Sequence, residues 1–413
     1  MAEMSLTRNK LEEFKCCANS ALHLKLVRHE SDLEDDTKTF KPDMTHQLFG
    51  DQESIFGYKD LEVDLFYTAG KLIPYLGMKY VDRVPLKGLD GVYADNVTAK
   101  LMEVMASGVQ TNLDDFVTAI QKDVNFRPYG DLLHCYKVHI GEQEREFQIY
   151  KADIEVKGFK SFHNRLQTFI LFFIDAASFI DVDDDKWRFY LLFEKYVQDG
   201  ECRYATAGYM TVYNYYAYPE KIRPRISQFL VLPPFQRQGH GAQLLQTFYN
   251  DVCPRPEVLD ITVEDPSENF QRLRDFVDCC NCQKLESYQP KCLLNGFCEQ
   301  MTDEAQQKLK LSKRQARRVY EILRLKITDE SNPSMYRQYR LDLKRRLNIP
   351  FQKSRRDFKK LERALGPEEL AQTMSCMTQE QRHLILEKNF QEHVQMYRQV
   401  IDRLAALSFS SNS

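Results

Sequence analysis

The sequence predicts a mixed α/β (α+β) fold in several parts, and three observations carry that expectation. Strand-like alternation and helix-like periodicity are interleaved from residue 21 to about residue 265, the pattern of sheets covered by helices. Within that region a short apolar run breaks into Gln236-Arg237-Gln238-Gly239-His240-Gly241 and then into a helix-like segment. From about Ser267 the chain turns helical and charged. The expected parts are an N-terminal α/β domain (1–125), a central domain (126–266), a helical region (267–346) and a charged helical tail (347–413). The last six residues, from Ser408, are expected to be disordered.

The elements follow in chain order. Residues 1–20 read as a helical or frayed lead-in. Leu22, Leu24 and Leu26 alternate with polar neighbours, as in a half-buried strand, and residues 63–67 read as another. Residues 114–124 read as a helix that stops before Phe126-Arg127-Pro128. Tyr150, Ala152, Ile154 and Val156 alternate with Lys151, Asp153 and Glu155, which predicts a strand through Val156. Leu166, Phe169, Ile170, Phe173, Ile174 and Ala177 follow helical spacing and place Asp175 on a helix. Strands are expected at 189–196, 205–213, 226–232 and 258–263. A turn at Pro233-Pro234-Phe235 and a helix over 242–252 lie between the last two. Residues 306–325 read as one amphipathic helix with a basic exposed face. They belong to a segment, 301–360, with 18 Lys/Arg against 7 Asp/Glu. Gly366-Pro367 breaks the tail.

With 413 residues the chain can bury a substantial core. Its 43% hydrophobic and 28% charged content is that of a soluble globular protein. No apolar run reaches the roughly 18 residues that span a bilayer, and the first residues lack a signal-peptide pattern. A cytosolic or nuclear protein is therefore expected, with its eleven cysteines reduced. The Cys279, Cys280, Cys282, Cys292 and Cys298 cluster lacks the paired spacing of a zinc site, so no metal is expected. The net charge of −3 excludes no partner.

The chemistry concentrates between Ile226 and Asp265. A strand that breaks into Gly-x-Gly and a helix presents backbone N–H groups to an anion. Gly239 and Gly241 let a phosphate approach closely. The P-loop lysine and hydroxyl are absent, as is the Gly-x-Gly-x-x-Gly spacing of dinucleotide sites. The Gln-x-x-Gly-x-Gly pattern resembles the acetyl-coenzyme A loop of the GNAT acetyltransferases. Read alone, these six residues fit an ordinary Gly-containing turn equally well. Glu264 and Asp265 end the following strand. They are a candidate base pair for proton removal, although Glu-Asp-Pro-Ser also suits a helix cap at Asp265 or Ser267. If extended, the two carboxylates point to opposite faces. The acidic run Asp181, Asp183, Asp184, Asp185, with Trp187 and Tyr213-Asn214-Tyr215-Tyr216, suits an extended basic peptide. A lone tryptophan equally suits a core.

Four segments, in order, resemble the type B histone acetyltransferase catalytic subunits. They are Ala177 to Trp187, Gly208 to Tyr216, Pro234 to Leu245 and Leu259 to Ser267. The resemblance runs from about Leu22 to about Arg346. It implies a central GNAT sheet and acetyl transfer from acetyl-CoA to lysine near the N-terminus of newly made free histone H4. It implies coenzyme contacts from Phe229, Leu230 and Val231 to the pantetheine arm, and from Gln236, Arg237, Gln238, Gly239, His240, Gly241 and Ala242 to the pyrophosphate, with Ser267 as a further contact. Glu264 is the implied base, helped by Asp265 and Asp175. Asp175 stands where relatives are expected to carry glutamate, and its shorter arm favours an electrostatic role. The implied substrate contacts are Asp51, Gln52, Glu53, Trp187, Tyr213, Asn214 and Tyr215. A WD-repeat histone chaperone of the retinoblastoma-binding type and the H3–H4 complex are the implied partners, in nucleus and cytoplasm. A GNAT enzyme for another protein or a small amine, and a non-catalytic histone-binding module, are the rivals. The basic 301–360 segment leaves nucleic-acid contact open.

Overall fold

A computed structural model describes residues 11–85, 93–141, 143–353 and 379–410. The chain forms two compact units. Unit 1 comprises Met1–Tyr215 and Pro224–Asp251, and unit 2 comprises Tyr216–Arg223 and Val252–Ser413.

Among the described residues unit 1 begins with a short strand, Lys15–Cys17, paired antiparallel with Ser54–Phe56 where a helical or frayed lead-in was expected; a three-stranded sheet of β1 (Leu22–Val27), β2 (Glu62–Thr68) and β3 (Pro74–Lys79) follows in that order. β1 and β2 pair in parallel with Leu22 opposite Val63, and β2 and β3 are antiparallel. Leu22, Leu24, Val63 and Leu65 are fully buried, but the strand is not the half-buried one expected, since Lys25 and Val27 on its other face are buried too. On the other face, Val27 and Phe66 pack against Phe116 and Ile120. These belong to α2 (Leu113–Asp123), which the side chain of Asn112 caps. The one-turn helix α1 (His46–Phe49) lies between β1 and β2 in sequence.

The larger sheet of unit 1 runs in the order β8 (Lys221–Val231), β7 (Glu201–Ala217), β6 (Trp187–Gln198), β5 (Gln143–Ala152), β4 (Asp131–Ile140). β4, β5, β6 and β7 pair antiparallel. The β6–β7 register slips between Leu192 and Phe193, where Leu192 faces Gly208 and Phe193 faces Thr206. The extra residue, Ala207, offers its carbonyl to the Leu232 N–H at 2.9 Å. Gly208 is required here, because a Cβ would fall 2.5 Å from the Leu230 carbonyl oxygen. The bulge thus fixes the end of β8, where the candidate coenzyme strand lies.

Two expectations fail in this unit. β5 ends at Ala152, and residues 153–156 turn, because the Asp153 carboxylate accepts the Glu155 N–H at 3.1 Å in place of a ladder bond. The apolar run after α3 (Phe159–Leu166) is helical only to Phe173, and Ile174 is extended. Asp175 therefore lies beyond the helix, in a turn whose next residue, Ala176, has φ 53°.

α3 packs its apolar face on the sheet, and His163 sits among those aromatic side chains. Its ring lies 4.7 Å from Phe189, 5.8 Å from Phe159 and 6.1 Å from Tyr209. It is fully buried, and neither nitrogen has a hydrogen-bond partner among the described residues. Burial pushes its pKa down from 6.5 to about 3. The folded state therefore binds fewer protons than the unfolded chain. The neutral ring's contribution is complete above pH 6.5 and falls as pH drops toward 3. Linkage puts the loss at about 2 kcal/mol by pH 5. Urea titrations at pH 7 and pH 5 should show His163→Leu losing about 2 kcal/mol less than the wild type over that interval. Equal losses would contradict the assignment.

Unit 2 contains a short strand, β9 (Thr262–Val263), and helices α5 (Glu268–Cys282), α6 (Glu299–Leu309), α7 (Lys313–Ile327), α8 (Pro333–Leu347) and α9 (Gln379–Ser410). The expected strand at 258–263 is mostly isolated bridges, Val258 with Ile222 and Ile261 with Leu311. The single helix expected over 306–325 is two helices, broken at Lys310 in the left-handed region. Its basic exposed face is only partly present, with Lys308, Lys313 and Arg314 exposed. Arg317, Arg318 and Arg324 turn inward, and Arg324 is 5% exposed with its guanidinium on the Leu293 carbonyl at 2.5 Å. α9 runs through Ser410, so Ser408 to Ser410 are helical where disorder was expected. The Gly366-Pro367 break and residues 411–413 lie outside the described residues, as does the start of the lead-in.

Candidate functional site

The residues assigned to coenzyme lie in unit 1. In β8, Ile226, Gln228 and Leu230 point inward, while Ser227, Phe229 and Val231 are half-buried on the opposite side. Buried Gln228 locks the strand. Its Oε1 accepts the Tyr209 hydroxyl at 3.0 Å, its Nε2 donates to the Ser178 carbonyl at 3.0 Å, and its N–H donates to Thr211 Oγ1. The chain then passes through a 3-10 turn (Pro233–Phe235) into the loop. Gln236 Nε2 donates to the Val231 carbonyl at 2.9 Å, and Gln238 Nε2 to the Pro234 carbonyl at 3.2 Å. Arg237 and Gly239 have φ of 64° and 89°.

Beyond the loop, α4 (His240–Val252) begins, with Leu244, Leu245 and Phe248 fully buried. Its first N–H groups have no intrahelical acceptor and suit an anion. Gly239 adds a cradle, since no heavy atom lies within 4 Å of where its Cβ would be. These features would suit a pyrophosphate at the backbone of residues 238–241 and the exposed side chain of Arg237, while the Ala242 N–H is already given to the Gly239 carbonyl at 3.0 Å. His240 is 1% exposed, and both its nitrogens are engaged inside the protein. Its side chain supports the loop from beneath.

The carboxylate candidates are divided between the units. Asp175 is in unit 1, with a side chain 78% exposed, and its Oδ1 lies 3.2 Å from His46 Nε2. His46 Nδ1 faces Glu53 Oε1 at 3.8 Å. α1 also straps this turn through Gln47 Nε2, which donates to the Ala177 carbonyl at 2.8 Å. Glu264, Asp265 and Ser267 are in unit 2. Glu264 follows β9 and is exposed. Asp265 has φ 28°, so the strand alternation that would set the two carboxylates on opposite faces stops at Glu264. Ser267 caps α5 by accepting the Phe270 N–H at 3.2 Å.

The substrate candidates of unit 1 form two groups. Trp187 and Tyr213 face each other across β6 and β7 with ring centroids 5.0 Å apart, and Tyr215 follows at 4.6 Å from Tyr213. The Tyr213 hydroxyl donates to Asp184 at 2.7 Å, which pushes the tyrosine pKa up. The Asn214 N–H donates to the Lys186 carbonyl at 3.2 Å. These contacts fix an aromatic ladder beside an acidic loop. In the second group, Asp51 and Gln52 are exposed. Glu53 is bound internally by the Thr45 N–H at 2.6 Å and by Asn19 Nδ2 at 2.7 Å. The Thr45 bond comes first among the contacts that hold its carboxyl below the usual range. Glu53 therefore shapes this corner.

Sequence reasoning passed over His46 and Tyr136, which carry no motif. Only the fold brings them to Asp175 and His240.

Residues 14–175 match the family model described as histone acetyl transferase HAT1 N-terminus. Residues 274–325 match the one described as histone acetyltransferase type B catalytic subunit, C-terminal. The histone acetyltransferase type B catalytic subunit of Homo sapiens is 51% identical over 97% of this chain and 96% of its own. That of Mycosarcoma maydis is 33% identical over 75% of each. On this identity along nearly its whole length, the chain belongs to the histone acetyltransferase type B catalytic subunits and is an acetyltransferase.

Proposed function

We propose that the chain transfers acetyl from acetyl-CoA to a lysine ε-amine near the N-terminus of newly synthesised, free histone H4. The braced Gly-x-Gly loop between β8 and α4 carries the reading, because its open anion cradle follows directly on the strand assigned to the pantetheine arm. Bound there, acetyl-CoA supplies a reactive thioester. The chain's own task is the amine, which is almost wholly ammonium at neutral pH given a pKa of about 10.4. Glu264 takes the proton, directly or through water. The freed amine attacks the thioester carbonyl carbon and the new C–N bond forms; the C–S bond then breaks, and the second amine proton passes to the departing sulfur, which leaves as coenzyme thiol. Asp265 and Asp175 add negative potential that draws lysine in.

Trp187, Tyr213 and Tyr215 offer rigid contact area to an extended tail, with Asp181, Asp183, Asp184 and Asp185 nearby in sequence. The proposal extends to H3–H4 as the carried substrate, a WD-repeat histone chaperone as partner, and work in both cytoplasm and nucleus. A mass-spectrometric panel of H4-tail peptides, other basic peptides and small amines tests the substrate class. Labelling of small amines in preference to the H4 tail would overturn it. Trp187→Ala should raise KM for the H4 peptide about tenfold with kcat nearly unchanged, as loss of a binding anchor does. A fall in kcat at constant KM would remove Trp187 from the groove.

A further inference from the structure

We infer that Tyr136, on the edge strand β4, is a positioning residue for the coenzyme loop, acting through His240 and Gln238; this rests on the acetyl-CoA reading above. Three hydrogen bonds run in one direction. The Tyr136 hydroxyl lies 2.7 Å from His240 Nδ1, His240 Nε2 lies 3.1 Å from Gln238 Oε1, and Gln238 Nε2 donates to the Pro234 carbonyl at 3.2 Å. The acceptor-only Gln238 Oε1 requires a proton on His240 Nε2, which leaves Nδ1 as the acceptor for the tyrosine. Every donor in the chain thus has one acceptor, and the order cannot be reversed while Pro234 offers only a carbonyl.

The surroundings hold the relay in place. The His240 ring lies 4.0 Å from Phe147, 5.8 Å from Tyr136 and 6.5 Å from Phe235, and His240 is 1% exposed. Burial lowers its pKa to about 4, so the ring is neutral and Nδ1 is open to accept. The loop needs such support because two of its residues, Arg237 and Gly239, are at positive φ, which for Arg237 carries strain. Its backbone N–H groups hold an anion only if that conformation is fixed in advance. Tyr136 reaches the loop from a strand 104 residues earlier and contributes no atom to the anion cradle.

The test uses the full chain with two acetyl donors, acetyl-CoA and S-acetylpantetheine, which lacks the pyrophosphate. Tyr136→Phe should raise KM for acetyl-CoA about tenfold, leave kcat at saturating donor unchanged, and leave kcat/KM for S-acetylpantetheine unchanged. Gln238→Ala, at a residue already assigned to the pyrophosphate site, should raise the acetyl-CoA KM at least as much, and the double variant should lose little more than Gln238→Ala alone, because both break one relay. Tyr150→Phe serves as the control. Its hydroxyl bonds Gln148 Oε1 at 2.7 Å within β5, and its acetyl-CoA KM should stay at the wild-type value. An unchanged acetyl-CoA KM in Tyr136→Phe, or an equal loss with both donors, would overturn the inference. Calorimetry of wild type with coenzyme A separates the two levels. If wild type binds none, the acetyl-CoA reading itself fails.

Discussion

Glu264→Gln lowers kcat for peptide acetylation by about 10²- to 10⁴-fold at neutral pH, the range of a lost general base. Coenzyme affinity stays at the wild-type value, because glutamine keeps the shape of the side chain and the loop residues lie on other elements. The pH profile carries the decisive readout. The variant still needs a free amine, and its supply rises tenfold per pH unit until the lysine pKa near 10.4 is approached. The deficit of Glu264→Gln should therefore shrink steadily above pH 8, while a residue that merely shapes the site would leave a constant ratio. Asp265→Asn is the companion measurement. Asparagine tolerates the left-handed backbone found at this position, with φ 28°, so the change removes charge with little strain. A smaller loss is expected, about tenfold, from the weakened field on the incoming ammonium. If Asp265→Asn is the slower enzyme and its deficit is the one that shrinks at high pH, the base is Asp265.

The parts of this site that were legible in the sequence are those written locally. The strand-to-helix break at Gly239, the cap at Ser267 and the strands β1 and β2 each rest on residues within one or two turns of each other. What escaped depends on distant partners. A run such as Phe169-Ile-Leu-Phe-Phe173 continues to look helical past its end, since periodicity carries no sign of the left-handed turn at Ala176. Asp175 was thus set on a helix when it projects from a turn toward His46. The basic residues of 306–325 read as an exposed face because lysine and arginine are mostly exposed. Some of their acidic partners are far along the chain, Asp275 at 43 residues from Arg318 and Asp342 at 25 residues from Arg317. Part of the charge of a segment for which nucleic-acid contact was left open is thus committed inside the protein, while Lys308, Lys313, Arg314, Arg337 and Arg345 stay exposed.

Glu321→Ala should destabilise unit 2 by about 3–5 kcal/mol, the cost of breaking a buried charge network by removing one member. Glu321 is 1% exposed and joins three helices. It accepts from Arg317 Nε of its own helix α7 at 2.9 Å, from Arg346 of α8 at 2.6 and 2.9 Å, and from the Tyr397 hydroxyl of α9 at 2.8 Å. Burial disfavours the charge on both arginines, and the carboxylate restores it so fully that their pKa values lie above the usual range. Alanine would leave the Arg346 guanidinium without its carboxylate partner, while Arg317 keeps Asp342 at 2.9 Å. A fall of about 10 °C in thermal midpoint follows for a domain of this size. Tyr397→Phe removes only one hydrogen bond to a charged acceptor and should cost about 1.5–3 kcal/mol. The double substitution Glu321→Leu with Arg346→Met tests why the network is there. If it matches wild-type stability, as buried ion pairs replaced by apolar groups often do, the charges select the seating of α9 without adding net stability. Rapid proteolysis of α9 in that double variant, at unchanged midpoint, would then be the expected sign of lost specificity. Resistance equal to wild type would show that apolar packing alone seats the helix.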